Sequence, residues 1–378
     1  MTKRKVMIYL DYAAHTAPDP EIFEIMDRTA REFPANPNAH HALGKAARTA
    51  YEACIRNILD ACRLETYELI LTSGATESNN LALKGAAKMN AGFGRHILTG
   101  PLEHSSVTGT LATLAAEGFE VETLPVDEAG KIDLDALRNM LRPDTILVTV
   151  GAVNSETGII QNLKAIGKTV HENGDALFHT DATQAFGKLN LYYRQCDLIT
   201  LSAHKIFGPT AGAGALIKHP DALLKREMDG GISMTPYRSA TPDLGMMRAL
   251  EHCVVSHYES MEKNFFTVRR HLAKLTDFFR QFPTIQINTR ENPYLINLST
   301  AVDGERLTAD LARQEIYLST KSACVASAVI PPAVYALTGD KKRAKNSFRL
   351  SLSPRTTDQE LLRFMRRFTK TYKRLLHE

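Results

Sequence analysis

Five short stretches carry residues that could do chemistry together. The first is SAHKIFGPTAGAGAL, residues 202–216, in which Lys205 follows His204 at the end of an apolar run. A lysine that bonds a carbonyl must lose its proton, which a partly desolvated site promotes. Gly208, Gly212 and Gly214 let the backbone approach a ligand closely. An exposed lysine in a turn is the plain alternative. The second stretch is HTDATQ, residues 179–184. Asp181 closes the apolar run ALFHTDA, where a carboxylate has little place unless it is paired; a helix N-cap is the plain alternative. The third, TSGATESNN, residues 72–80, leads through small residues into a helix that begins near Thr76 and Glu77. Free N–H groups and the helix dipole there suit a phosphate, and an ordinary capping box is the competing reading. His104, in GPLEHSS, follows another strand end, and the helix opened by Ser105 and Ser106 aims its ring into the same crevice. An imidazole there can stack on a ring and move protons near neutral pH, although a single His is more often structural. The last stretch, STKSACVASAVIPP, residues 319–332, places Cys324 among small residues in a loop-like run. An exposed thiol near Lys321 can react as thiolate; a buried, inert Cys is the alternative.

A lysine, a buried carboxylate, a phosphate-binding helix start and a stacking imidazole meet the needs of pyridoxal phosphate. The carboxylate beside the pyridine nitrogen keeps it protonated, so that the ring can accept electrons from a substrate carbanion.

The elements that must position these residues follow from periodicity. Between about 45 and 250, β-rich apolar runs end in Gly, Ser or Thr: residues 68–75, 96–100, 146–153, 176–182, 197–204 and 214–218. Helix-like segments at 77–90, 105–117 and 163–173 lie between them. Such alternation predicts an α/β fold with a mainly parallel sheet, in which ligands bind beyond the carboxyl ends of the strands. Every stretch described from the alternating region sits at such an end. After about 250 the pattern changes to a long helix (251–282), strands near 286–288 and 294–298, a helix near 306–314, strands near 317–319 and 348–352, and a last helix from 358. This predicts a smaller α+β domain of residues 253–378, joined by residues 1–14 with a first strand at 6–10, beside a large domain of residues 15–252.

In order and spacing, these motifs resemble the cysteine desulfurases of the class V aminotransferase group, in the NifS/IscS-like branch. The resemblance runs nearly end to end, through YLDYAAHT (9–16), NPNAHHALG (36–44), SGATESNN, EHSSV, VNSETG, HTDATQAFGKL, SAHKIFGP, SAC and FRLSLSPRTT. It implies a fold-type I pyridoxal-phosphate transferase with a mainly parallel seven-stranded sheet, acting as a homodimer with sites at the subunit interface. By that resemblance Lys205 is the Schiff-base lysine, Asp181 pairs with the pyridinium nitrogen and Gln184 bonds the ring hydroxyl. Ala75, Thr76, Ser202 and His204 hold the phosphate, and His104 stacks on the ring. Arg349 pairs with the substrate carboxylate, for which a planar guanidinium is suited. Cys324 takes the sulfur of L-cysteine as a persulfide, leaving L-alanine, and passes it to an acceptor or scaffold protein for iron–sulfur clusters or tRNA thiolation. The sequence also departs from the family pattern. Ser155 stands where a second asparagine near the ring is usual. The glycine-rich segment reads GGISMTPYRSAT (230–241), with Ser233, Met234 and Ala240 replacing the usual residues, while Thr241, which reaches the neighbouring subunit's phosphate in the family, is kept. Lys321 replaces a common glycine.

Composition narrows the field. The chain has 378 residues, with 46 Lys and Arg against 42 Asp and Glu, a balance that does not argue for nucleic acid. A basic run at 363–374 reads as a solvated helix face, or as a docking surface for an acidic partner. No apolar run reaches the roughly 20 residues of a membrane span, and Asp11 interrupts the first apolar piece, so a cytoplasmic protein is expected. The five cysteines form no C-x-x-C pair, and no metal site or disulfide framework is expected. Cys54, Cys62, Cys196 and Cys253 fall in core patterns and are expected to be inert thiols. Selenocysteine lyase, or another class V aminotransferase or lyase in which Cys324 is dispensable, is the alternative activity; a catalytically silent scaffold is the alternative class.

Overall fold

The computed structural model of the chain describes residues 7–210, 212–320 and 331–378. Its strands are β1 (Ile8–Tyr9), β2 (Glu68–Thr72), β3 (His96–Thr99), β4 (Glu120–Thr123), β5 (Thr145–Thr149), β6 (Leu177–Asp181), β7 (Leu198–Ser202), β8 (Gly214–Lys218), β9 (Gln286–Thr289), β10 (Leu295–Ser299), β11 (Ile316–Tyr317) and β12 (Ser347–Ser351). Seven of them form one sheet in the order β2-β8-β7-β6-β5-β3-β4. The pairs from β7 to β4 are parallel, and β8 runs antiparallel between β2 and β7. The expected mainly parallel seven-stranded α/β sheet is therefore present.

The inner strands are buried on both faces, as TILVT and LITLS read in the sequence, and the edge strand ELILT is buried after its first residue. β4 was not among the runs singled out. Its sequence, EVET, alternates polar residues at a half-exposed sheet edge, so it lacks the apolar signature of its neighbours. Helices cover the sheet, and those at Ala75–Asn90, Ser105–Ala116 and Leu163–Asn173 match the expected segments within two residues.

A three-stranded antiparallel sheet, β12-β10-β9, packs with the helix Asp358–His377. That helix opens with a reciprocal capping box between Thr357 and Glu360. Its Phe364, Phe368 and Tyr372 are fully buried, and the Phe368 ring lies 5.2 Å from Phe279 and 5.9 Å from Phe348. β1 pairs in parallel with β11, so Ile8 and Tyr9 lie against residues more than 300 positions away. The expected division at residue 252 falls inside one continuous helix, Leu244–Phe279.

Candidate active site

A cavity of about 390 Å³ opens at the carboxyl edge of the large sheet. Ala75, Thr76, His104, Ser155, Asp181, Gln184, Ser202, His204, Lys205 and Arg349 all line it. Ten of the twelve residues singled out from sequence thus come together. Thr241 lies on an exposed segment outside the cavity lining, and Cys324 lies outside the described residues.

The floor at one end is the turn between β2 and the helix Ala75–Asn90. Gly74, with φ 148°, is the N-cap, and the helix starts one residue before the expected Thr76. A Cβ on Gly214 would lie 2.5 Å from the Gly74 Cα, so β8 can pass this turn only with glycine at that position. The Ser202 hydroxyl faces the same turn, 3.7 Å from where a Cβ on Gly74 would stand. Ser202 Oγ also bonds His204 Nδ1 at 2.7 Å. The His204 ring is held well below the ordinary histidine value, at about 4, by burial and then by the nearby Lys205. Exposed N–H groups of a helix start, a hydroxyl and a neutral imidazole donor converge here, a set that suits a phosphate.

Deeper in the cavity, Asp181 ends β6 with only 9% of its surface exposed. Asn79 Nδ2 donates to its Oδ2 at 2.8 Å, and the Thr183 N–H donates to its Oδ1 at 3.0 Å. Asn79 Nδ2 also donates to Ser106 Oγ at 2.8 Å, and that hydroxyl sits 2.8 Å from His104 Nδ1. The Ser106 backbone N–H donates to the same Nδ1 at 3.2 Å, which caps the helix with the His104 ring and leaves Nε2 to carry the proton. Burial lowers the His104 pKa below 6.5, and Asp181 opposes that shift in part. One network therefore fixes both the carboxylate and the imidazole. Asn79 and Ser106 were not singled out as site residues, although they lie within or beside the quoted motifs.

Lys205 follows β7, and its Nζ donates to the carbonyls of Ala13 and Ala14 at 2.8 and 2.5 Å. Gln184 Nε2 donates to the Ala13 carbonyl at 2.9 Å. The stretch after β1 thus forms a wall of the site. Two more titratable groups escaped the sequence reading. The buried Lys188 amine is pushed down to about 7 by burial, with Lys205 and Arg349 adding repulsion. Burial raises the Glu103 carboxyl to about 8, and the nearby Asp181 contributes. Both lie inside quoted motifs, Glu103 in EHSSV and Lys188 in HTDATQAFGKL, but were given no role there; of the two, only Glu103 lines the cavity.

The four described cysteines are free and buried. Burial raises the Cys62 thiol to about 12 and those of Cys54, Cys196 and Cys253 higher still. They are protonated and inert, as expected. No group of three or more potential metal ligands occurs among the described residues, and none of the described helices is long and apolar enough to cross a membrane.

The donor set fits pyridoxal phosphate: a helix start, Ser202 and His204 for the phosphate, an anchored carboxylate for the ring nitrogen, and a lysine amine in the same cavity. The class-V aminotransferase family matches residues 8–364. The cysteine desulfurase IscS of Rickettsia bellii is 37% identical over 365 residues, covering 94% of this chain and 88% of its own. That of Neisseria meningitidis serogroup C is 35% identical over 371 residues, covering 94% and 90%. A solved NifS-like protein superposes with a TM-score of 0.90 at 26% identity, over 98% of this chain and 100% of its own. A cavity built for pyridoxal phosphate and likeness along nearly the whole chain agree, and the chain belongs to the class-V aminotransferases, among their pyridoxal-phosphate-dependent cysteine desulfurases.

Proposed function

We propose that the chain takes sulfur from L-cysteine, leaving L-alanine, with Cys324 as the sulfur-accepting nucleophile and a protein acceptor as the next recipient. The observation that carries this reading is the meeting of Lys205, Asp181, His104 and Arg349 in one cavity beside a phosphate-binding helix start. Pyridoxal phosphate, when bound, supplies an electron sink for the substrate's α-carbon.

The chain's own residues then have distinct tasks. Lys205 would hold the cofactor, and its amine would move a proton at the substrate. Asp181 keeps the ring nitrogen protonated, oriented by Asn79 and the Thr183 N–H. Gln184 would hold the ring hydroxyl, and Ser155 would help to hold the ring. Ala75, Thr76, Ser202 and His204 hold the phosphate, with Thr241 reaching the site of a second copy in a homodimer. His104 would hold the ring, with a proton carried on Nε2. Arg349 pairs with the substrate carboxylate. In the sulfur step, the Cys324 thiolate forms a sulfur–sulfur bond as the substrate's carbon–sulfur bond breaks. The carbon keeps the electron pair and takes up a proton, which makes alanine without any oxidant or reductant. The large domain of residues 15–252 and the small one of 1–14 and 253–378 are proposed to flank this site.

Assay of alanine and sulfide from L-cysteine, with and without a thiol reductant, tests the reading. Purified protein is expected to be yellow. Cys324→Ser should abolish sulfide release and keep the colour, whereas Lys205→Ala should lose both. Sulfide release that survives Cys324→Ser would instead support a lyase that does not need this thiol.

A further inference from the structure

The buried guanidinium of Arg349, on β12, is held from two sides. Its Nη2 donates to Asp11 Oδ1 at 2.6 Å, and its Nη1 donates to the Ser155 carbonyl at 2.6 Å. Nε is buried and has no partner among the described residues. Asp11 Oδ2 accepts from Ser319 Oγ at 2.7 Å. Ser319 and Arg349 also exchange backbone bonds, the Arg349 N–H donating at 2.6 Å and the Ser319 N–H at 3.4 Å. A single carboxylate, just after β1, therefore ties the arginine to residue 319, shortly before the stretch that contains Cys324.

Two of the five N–H donors of Arg349 are used in these side contacts, and three remain. A substrate carboxylate can thus bind while Asp11 stays in place. A buried guanidinium also needs a counter-charge, because a lone buried charge is strongly unfavourable. Resting on the reading that Arg349 takes the substrate carboxylate, we propose that Asp11 is the positioning residue that sets this arginine's donor fork and ties it to Ser319, five positions before Cys324 in the sequence. Asp11 holds the fork open for the substrate and does not compete for it.

The test uses the holoenzyme and L-alanine, which has the substrate's carboxylate and no sulfur to lose. Its affinity is read from the absorbance of the bound cofactor. Asp11→Asn keeps the shape and removes the charge. It should weaken L-alanine binding about tenfold and raise the KM for L-cysteine by a similar factor, with kcat changed less than about threefold. In an Arg349→Gln background the same change should add nothing, because the two residues act as one unit. Ser319→Ala keeps both charges and should weaken L-alanine binding about twofold to threefold. Unchanged or tighter L-alanine binding in Asp11→Asn, or an equal loss with and without Arg349, would overturn the proposal. Should Asp11→Asn fail to fold, wild-type affinity in Ser319→Ala would overturn it. Wild-type holoenzyme without sulfide release would defeat the functional reading itself, whereas normal turnover with an indifferent Asp11 would defeat only this inference.

Discussion

Glu103 occupies space that two glycines leave open. A Cβ on Gly100 would stand 2.6 Å from its Oε1, and one on Gly151 would stand 3.2 Å from its Oε2. Oε1 accepts the Gly151 N–H at 2.8 Å, while Oε2 is buried without a partner among the described residues. Burial and the nearby Asp181 raise the carboxyl from 4.5 to about 8, so it is neutral at pH 7. A raised folded-state pKa gives stability that is complete below the unfolded value and lost as pH rises through the folded one. Wild type should therefore lose stability between about pH 5 and 9 relative to Glu103→Gln, which keeps the volume and cannot ionise. Denaturant midpoints across that range check this, and parallel slopes in the two proteins would refute it. At His104 the sign is reversed, because burial disfavours the charged ring. The acid limb of kcat/KM should fall below pH 6.5, the ordinary value. His104→Gln should remove the limb and about 10²-fold of the rate. A wild-type acid limb above the ordinary value would contradict the assignment.

Among the elements, strand ends carry the site, and their joints are tight. β8 passes the turn before the helix Ala75–Asn90, the proposed phosphate site, so closely that Gly214→Ala would press a methyl group on the Gly74 backbone. The variant is expected to lose about 1–3 kcal/mol of stability and about tenfold in cofactor affinity, since the helix start must shift. Absorbance titration of apoprotein with pyridoxal phosphate measures the second effect. Thr357→Ala, at the capping box of the last helix, should cost about 1 kcal/mol and leave the cofactor spectrum alone. The two variants separate a cap that only stabilises from a turn that also binds. The strand ends were legible because small residues follow apolar runs. The helix start at Ala75 was displaced by one position because its cap is Gly74, which contributes no side-chain bond.

Among the described residues the whole molecule rests on three sheets and on contacts that close the chain upon itself. The aromatic cluster around Phe368 joins the last helix to the long helix and to β12. Phe368→Ala should lower stability by about 3–5 kcal/mol, read as a shift in denaturant midpoint. A shift under about 1 kcal/mol would mean that the cluster collapses around the gap. What the sequence determined was local. Periodicity marked the strands and helices, and motifs adjacent in the chain singled out Lys205, Asp181, His104 and the turn before the helix Ala75–Asn90. These signals are legible because neighbours along a strand end are also neighbours in space. The tertiary structure alone decided which distant groups meet. Asp11 pairs with Arg349 across 338 positions, and Asn79 reaches Asp181 across 102. Those partnerships depend on strand order, with β8 inserted antiparallel and β3 placed between β5 and β4. That order is set by packing the apolar faces of all the elements at once, which no single stretch of sequence records.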